Sequence, residues 1–352
     1  MDTPTTLFEL LDQAGLRQRW FDLGRRLQPV PRKVVESFEA GDAPWPHPYL
    51  QQAWLGLLLW FDEDKQTPIV WFLRLPLDEQ GKLRLSERDA FLRRLLQSLA
   101  DAGDQDPAAG LQRALDGSEV IYTPAEDRRA VFHARAALAL AQKPGPHFGA
   151  TMDYLRSEGK AGWQNLAMQG IADVSVRWQE QQELLEQQLE LIEGPVFIAL
   201  CQCLESEAIP HQLCERIIRR ARAERATSEP NFGLIAAAVR GVSNSAASGM
   251  RRDFLIDLLG SEAGANVEVL AALASRCCTD FEDDRLAALW LSKAAEHLDQ
   301  SGFNLLLSDL MYLPEVRNRL LQVIRSPDRD EVIAAKFGAF LRGASDTPGS
   351  VH

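Results

Sequence analysis

The stretch AWLGLLLWFDEDKQTPIVWFLRLPL, residues 53–77, determines the architecture of the first half of the chain. Two apolar runs, residues 53–62 and 68–77, lie on either side of a turn formed by the polar sequence DEDKQT, which predicts a β-hairpin. The second run is apolar at successive as well as alternate positions, so we expect that strand to be buried on both faces. Pro76 has no N–H to donate, so strand pairing is expected to stop near it.

Upstream of the hairpin, the sequence RWFDLGRRLQPV, residues 19–30, predicts one extended strand. Its residues Phe21, Leu23 and Leu27 would share one face, with Arg25 between the last two. The sequence PWPHPY that follows, residues 44–49, has proline at every other position, which favours an extended conformation and disfavours a helix.

Downstream of the hairpin, the sequence DEQGK supplies a turn in which Gly81 is free to take a positive φ. Ser86 to Asp89 match the capping box of a helix, and the sequence SEVIY, residues 118–122, predicts another strand before a second helix. The mixed order predicts an α+β domain over residues 1–145, a small sheet with packed helices. The proline- and glycine-rich sequence KPGPHFG ends it.

From about residue 160 the pattern becomes helical and recurs. Similar segments start at Gly162, Gly194, Glu229, Gly264 and Ser301, and these starts are 32, 35, 35 and 37 residues apart. A repeat of this length holds two antiparallel helices whose apolar faces must be covered by neighbouring repeats. We therefore predict an all-α, HEAT-like helical-repeat domain over residues 160–343 and a flexible tail over 344–352. An irregular helical bundle is the alternative.

The charge balance limits the partners of the chain. The formal net charge is −12, with −3 in residues 1–150 and −9 in the remainder. Phosphate backbones and anionic lipids repel an acidic protein, so nucleic-acid or membrane binding is not expected without a local basic patch. The longest apolar run has nine residues, residues 53–61, whereas a membrane span needs about 20. An acidic N-terminus and five cysteines without a disulfide pattern favour a cytoplasmic protein.

Three sequences carry a family resemblance: FDLGRR at residues 21–26, PWPHPY at 44–49 and WFLRLPLDEQGKL at 71–83. With them the chain resembles an uncharacterised bacterial family, domain of unknown function 3549, over most of its length. The resemblance implies a bacterial, cytoplasmic protein and assigns no activity and no catalytic residue.

Enzyme signatures are largely missing from the sequence. It has no nucleophile elbow, no H-E-x-x-H motif and no G-x-G-x-x-G motif, and neither Gly-Lys pair has the surroundings of a phosphate loop. Cys201, Cys203, His211 and Cys214 suggest zinc, but helical residues two apart point about 200° from each other. We therefore predict buried cysteines, no metal, no cofactor and no catalytic residue, and we favour a protein that is not an enzyme.

Two basic clusters stand against the acidic total. The first is Arg17, Arg19, Arg25, Arg26, Arg32 and Lys33. The second contains a helical stripe of Arg216, Arg219 and Arg220, which could bind an acidic partner or RNA. The alternative for the stripe is a solvated helix face balanced by nearby glutamates.

A polar cluster is the main candidate binding site. It comprises Asp22, Arg25, Arg26, Trp45, Tyr49, Asp78 and Glu79. If the two strands that carry these groups are neighbours, Arg25 or Arg26 could form a bidentate pair with Asp78. Such a pair would either fix the strand-to-helix turn or form a small polar pocket beside Trp45 and Tyr49.

Three functions remain open. The leading hypothesis is a non-enzymatic interaction or scaffold protein, in which the concave face of a helical repeat binds another protein. A small-ligand-binding protein or enzyme that uses the polar cluster is the first alternative, and RNA binding through the arginine stripe is the second.

Overall fold

The computed structural model describes residues 5–102, 118–157 and 162–345. By its internal contacts the chain divides into two compact units, which are Met1–Phe132 with Ala136–Gln142, and His133–Arg135 with Lys143–His352. The first unit combines a small antiparallel sheet with helices, and the second has helices and no strand among its described residues. The predicted order, an α+β region followed by an all-α region, is confirmed.

The sheet of the first unit has four antiparallel strands among the described residues. They are β1 (Arg17–Asp22), β2 (Gln28–Val30), β3 (Gln52–Phe61) and β4 (Asp64–Pro76), in the order β2-β1-β3-β4. The predicted hairpin is confirmed as β3 and β4, but its turn is shorter than expected, because Phe61 already pairs with Asp64. The ladder ends where Gln52 faces Pro76, as the missing N–H of proline requires.

The prediction of one strand over residues 19–30 is wrong. The chain turns after Asp22 and returns as β2, so that Asp22 faces Gln28. Gly24 lies in this turn, where a Cβ atom would approach the Cβ of Tyr49 to 3.0 Å. The alternating apolar pattern could not show this turn, because Leu23 and Leu27, which lie on either side of it, are both apolar and buried.

The two faces of the sheet are covered differently. One face carries the main apolar core of the unit, which includes Leu11, Phe38 and Trp71 and is packed by α1 (Leu7–Gln13), α2 (Arg32–Glu39) and α3 (Leu85–Ala102). On the opposite face, Phe132 of α4 (Glu126–Ala139) makes edge contacts with Phe21 and Phe72. Phe72 and its neighbour Val70 are half-buried, whereas Trp71 is almost fully buried.

Gly56 allows the second face to close. A Cβ atom on Gly56 would lie 2.5 Å from the Phe132 ring and 2.6 Å from Leu23 Cδ1, closer than carbon atoms can approach. The absence of a side chain in the middle of β3 therefore lets Phe132 pack directly on the sheet.

Local signals succeed at one turn and fail at one helix start and one predicted strand. Gly81 has a φ of +76°, as predicted. The predicted capping box is wrong, because α3 already begins at Leu85 and places Ser86 inside the helix. SEVIY forms only an isolated bridge, Leu73 to Ile121, flanked by two backbone hydrogen bonds to the edge of β4.

The second unit is built from helix pairs. Its helices are α5 (Phe148–Arg156), α6 (Met168–Val176), α7 (Gln182–Gln188), α8 (Gly194–Leu204), α9 (His211–Arg225), α10 (Phe232–Val242), α11 (Ser248–Leu259), α12 (Val267–Arg276), α13 (Asp284–His297), α14 (Gln300–Met311), α15 (Pro314–Arg325) and α16 (Glu331–Ser345).

These helices stack in two rows. In the first row, α6, α8, α10, α12 and α14 each pack on the next, and in the second row α7, α9, α11, α13 and α15 do the same. The repeat of two helices follows the spacing in the sequence, while membership of the HEAT-like class stays a prediction. The predicted tail, residues 344–352, lies outside the described residues apart from its first two positions.

Candidate functional site

Asp22, at the end of β1, is the buried centre of the predicted polar cluster. Its side chain is inaccessible to solvent, and its Oδ1 accepts a hydrogen bond of 3.3 Å from the indole Nε1–H of Trp45. Its Oδ2 has no hydrogen-bond partner among the residues that the structure describes. Burial raises the pKa of Asp22 to about 7, although hydrogen bonds from the Gly24 N–H and from Trp45, and the charges of Arg128 and Arg25, oppose this shift.

Arg25 is also buried and lies close by. Its Nε donates to the carbonyl oxygen of Pro48 at 3.0 Å, and its guanidinium lies 5.5 Å from the centroid of the Tyr49 ring. A cation over an aromatic face is stabilised by the ring quadrupole. Arg25 therefore fastens the β1–β2 turn to the proline-rich segment 44–49.

The segment 44–49 joins the three sequences that carry the family resemblance. The side chain of Trp45 contacts Asp22, and its backbone N–H donates to the carbonyl oxygen of Gly81 at 2.8 Å. The structure thus brings Asp22, Arg25, Trp45 and Tyr49 together, and it places the DEQGK turn next to them through the backbone.

Asp78 and Glu79 take other roles than the predicted one. The Oδ1 of Asp78 accepts hydrogen bonds of 2.8 Å from the N–H groups of Gln80 and Lys82, which closes the turn locally. The carboxylate is used there instead of in the predicted pair with Arg25 or Arg26. Glu79 is exposed on the same turn.

Arg26, the second arginine of the turn, is half-buried, and its charge influences the pKa of His47. Burial and the charge of Arg26 hold the pKa of His47 below its ordinary value. Asp22 and Arg25 are both buried, and the polar contacts of the cluster join the turns of the unit to one another.

The arginine stripe lies on α9 and is engaged by the surrounding helices. Arg216 and Arg219 reach Glu190 Oε1 at 2.8 and 3.5 Å, and Arg219 also pairs with Glu215 at 2.8 Å. Arg220 donates to the carbonyl oxygen of Glu190 at 2.8 Å. Two of the three arginines of the stripe thus pair with glutamates, and the third bonds to a backbone oxygen.

The cysteines give no sign of a metal site. All five are free and buried, and within residues 5–102, 118–157 and 162–345 no group of three or more metal-ligating side chains occurs. Burial raises the pKa of Cys201 and Cys214, which keeps both thiols protonated.

Sequence reasoning missed a buried ion network in the first row of helices. Glu205, directly after α8, is buried, and its Oε2 lies 2.7 Å from Arg240 Nε and 2.9 Å from Arg276 Nε. The two arginines belong to α10 and α12, so one carboxylate links three neighbouring helices of the first row.

The repeat spacing contains a signal for this network. Asp173, Glu205 and Arg240 each lie 11 residues after the start of their repeat, and an apolar residue directly precedes each of them. Asp173 is also in a buried pair, 3.0 Å from Arg177. A charged residue that recurs at one position of a buried helix needs a charged partner in the neighbouring repeat or helix.

A groove crosses the same three helices, and we call it the row groove. It has a volume of about 440 Å³, with Ile198 and Gln202 of α8 on one side and Glu268 of α12 on the other. Arg240 and Arg276 lie in its wall. Its remaining lining consists of small side chains, Gly233, Ala236, Ala237, Ala271, Ala272 and Ser275. Small residues let another backbone approach a helix closely.

The family model described as Protein of unknown function (DUF3549) matches residues 2–341. The chain belongs to this family. No curated protein and no solved structure matches it. In the part of the chain that the structure describes, every helix is too short or too polar to cross a bilayer. Because the family carries no assigned activity, the geometry of the chain is the basis for any function.

Proposed function

We propose that the protein is a non-enzymatic interaction protein whose helical unit binds another protein through the row groove. The observation that carries this proposal is the lining of small residues shared by α8, α10 and α12, three neighbouring helices of the first row. On α10, Gly233, Ala236, Ala237 and Arg240 lie three to four residues apart, so they form one stripe along the groove. A helix or extended segment of a partner fits such a stripe because its backbone can approach closely.

The groove is supported by rigid surroundings. The pairs between Glu205 and the arginines fix the ends of the helices, and a Cβ atom on Gly241 would lie 3.0 Å from the Cys201 Sγ, so α8 and α10 pack tightly. A surface held by such packing keeps its shape before binding, which lowers the entropic cost of association.

The polar cluster of the first unit supports the ligand-binding alternative less well than the row groove supports protein binding. Asp22 is inaccessible to solvent, so a ligand would reach it only after the segment 44–49 had moved. The ligand-binding alternative stays a prediction, as does the RNA alternative at the arginine stripe.

The test is a crosslinked affinity purification from the native cell, with recovered proteins identified by mass spectrometry. The test variant is Ala271→Arg, since Ala271 is half-buried in the groove and a long charged side chain there would fill it. The control is Ala223→Arg, the same change at an exposed position of α9 in the second row.

We expect one specific protein to be recovered with the wild type and with Ala223→Arg and to be lost with Ala271→Arg, all three having the same thermal unfolding midpoint. Recovery of the same protein with Ala271→Arg would exclude the row groove. Recovery of nothing above background with the wild type would count against an interaction protein.

A further inference from the structure

Half of strand β1 has an edge that no other described strand covers. β1 pairs with β3 along its whole length, from Arg17 opposite Trp60 to Asp22 opposite Leu55. On its other side, β2 covers only the three residues from Trp20 to Asp22. Residues 17–19 therefore lie at the edge of the sheet.

The hydrogen-bond alternation shows which groups are uncovered. The N–H just beyond β1, that of Leu23, donates to the carbonyl oxygen of Trp54 at 2.7 Å, so the odd-numbered residues of β1 face β3. The even-numbered residues face β2, which agrees with Pro29, without an N–H, lying opposite Phe21. The N–H and C=O of Gln18 thus point outward, and no described residue bonds to either.

The chain itself prevents β2 from covering this edge. β2 ends at Val30, and Pro31 is the N-cap of α2. The other outer strand of the sheet, β4, exchanges two backbone hydrogen bonds with residues 120–122: Arg74 N–H donates to Val120 and Tyr122 N–H donates to Phe72. The edge at Gln18 has no such cover within the described residues.

A groove of about 370 Å³ lies along this edge, and we call it the edge groove. Its apolar lining comes from the sheet, from α1 and α2 and from the loop between α1 and β1, and it comprises Phe8, Leu16, Trp20, Pro29, Val30 and Val35. Trp20 and Val30 face each other across the strands, so they lie on the same face of the sheet.

The rim of the edge groove is basic. Arg17, Arg19 and Arg32 line it together with one acid, Asp12. Arg19 is exposed, and no described carboxylate pairs with it. Arg17 and Arg32 pair with Asp62 and Glu36, but these pairs are solvent-exposed and therefore weak, so an incoming acid can replace them.

We propose that the edge groove accepts an extended segment of a partner protein as an additional β-strand, with apolar and acidic side chains at alternate positions. Side chains of an added strand alternate between the faces of the sheet. Those on the face of Trp20 meet the apolar lining, and those on the opposite face meet Arg17 and Arg19.

The charges argue against a second copy of this chain as the occupant. Two copies joined edge to edge would bring their Arg17 and Arg19 side chains close together, and like charges opposite each other destabilise strand pairing. An acidic segment is attracted by the same residues.

The probe is a labelled seven-residue peptide of alternating Glu and Val, with blocked ends, and its binding to the full chain is followed by fluorescence anisotropy. A peptide of the same composition with the Glu and Val residues in separate blocks controls for charge alone. We expect the alternating peptide to bind and the block peptide to bind about tenfold more weakly or worse.

Two variants test the protein side. Arg19→Glu should weaken binding about tenfold or more, because it reverses the charge of an exposed rim residue. Gln18→Pro should also weaken it, because proline removes the outward N–H and leaves the ladder to β3 intact. Arg156→Glu, at an exposed arginine of α5, is the matched control and should bind as the wild type does.

Backbone methylation of the peptide tests strand addition without changing the protein. One peptide is N-methylated at its Val residues and a second at its Glu residues, so each loses the N–H groups on one edge of the added strand. Exactly one of them should lose binding: the Val-methylated peptide if the strand adds antiparallel to β1, the Glu-methylated peptide if it adds parallel.

Equal binding of the alternating and block peptides, or of both methylated peptides and the unmodified one, would overturn the proposal in favour of a charged patch. No binding of the alternating peptide would overturn it outright. Ala271→Arg should bind the peptide normally, so this test and that of the row groove can fail independently.

Discussion

The two units each bury carboxyl groups, but they neutralise them in different ways. In the sheet unit, Asp22 accepts one side-chain hydrogen bond, from Trp45, and keeps one oxygen without a partner, and burial raises its pKa to about 7. In the helical unit, Glu205 is equally buried but lies within 2.9 Å of two guanidinium groups. A buried carboxyl must either take up a proton or be paired, and Asp22 and Glu205 are examples of these two solutions.

The difference follows from the architecture. In a stack of helix pairs, a position that recurs in each repeat can place an acid opposite the arginines of the next repeats, as Glu205, Arg240 and Arg276 show. The sheet unit has no such repetition, and its turns meet Asp22 with backbone and indole donors. Breaking the ion network should therefore cost more than removing the charge of Asp22.

The largest expected effect is that of Glu205→Ala. The substitution leaves Arg276, only 9% exposed in its side chain, and Arg240 without this carboxylate, which should lower the free energy of unfolding by roughly 3–5 kcal/mol. Equilibrium unfolding in urea, followed by circular dichroism at pH 7.5, measures the change.

The control for this prediction is Asp284→Ala, which removes an ion pair of similar length, 2.9 Å to Arg319, from an exposed site. Its effect should stay below about 1 kcal/mol. If both substitutions had the same small effect, the buried network would contribute no more than a surface pair, and the contrast between the two units would be lost.

The second effect is a pH dependence that originates at Asp22. Its pKa rises on folding from 3.8 to about 7, so the folded state binds the proton more tightly. The contribution is complete below pH 3.8 and is lost as the pH rises to about 7, a loss of roughly 4 kcal/mol. Glu39 and Glu207, whose pKa values burial also raises to about 7, act in the same direction.

Asp22→Asn mimics the neutral acid, so it should remove this slope. The free energy of unfolding of the variant, compared with that of the wild type, should rise steadily between pH 4 and pH 8, as measured by urea unfolding at each pH. Asp62→Asn is the control with the opposite sign, because Arg17 lowers the pKa of exposed Asp62. Parallel pH profiles for Asp22→Asn and the wild type would show that Asp22 is ionised in the folded state.

The sequence predicts the parts of the fold that depend on local chemistry. Alternation and polar turns locate the β3–β4 hairpin, the freedom of glycine accounts for Gly81, and the spacing of apolar segments gives the helix pairs. The β1–β2 turn was missed because Leu23 and Leu27 are apolar and buried on either side of it, so the alternating pattern continues across Gly24, Arg25 and Arg26.

The candidate site could be predicted only in part. Asp22, Arg25, Trp45 and Tyr49 do lie together, but Asp78 closes its own turn, because backbone N–H groups two and four residues away are within reach. A residue that can bond locally competes with any distant partner. The pairs of Glu205 depend on the register between repeats, which only the folded stack provides.

A smaller effect is expected from substituting glycines, and it compares a tightly packed glycine of the sheet, Gly56, with an open glycine of a helix, Gly249. Gly56→Ala places a methyl group about 2.5 Å from the Phe132 ring, so it should destabilise the protein by roughly 1–3 kcal/mol. Gly249→Ala, in the first turn of α11, meets no atom within 4 Å and should stabilise it by up to about 1 kcal/mol.

Thermal unfolding of the two glycine variants measures these opposite signs. Adding Phe132→Leu to Gly56→Ala should restore part of the loss, because the two residues compete for the same space. If the destabilising effects of Gly56→Ala and Phe132→Leu simply added in the double variant, the sheet would adjust at Gly56 without disturbing Phe132.

The smallest effect is expected at the arginine stripe, which separates a structural surface from a binding surface. Arg219→Gln removes pairs to Glu190 and Glu215 that are about half exposed, so stability should change by at most about 1 kcal/mol. The affinity of the full chain for a labelled single-stranded RNA should likewise be unchanged and weak, because Arg216 and Arg219 are already paired with glutamates. Tight binding that weakens in Arg219→Gln and falls steeply with salt would instead make the stripe an RNA-binding surface. The helical unit would then combine buried pairs that hold its rows together with exposed pairs that open for a partner.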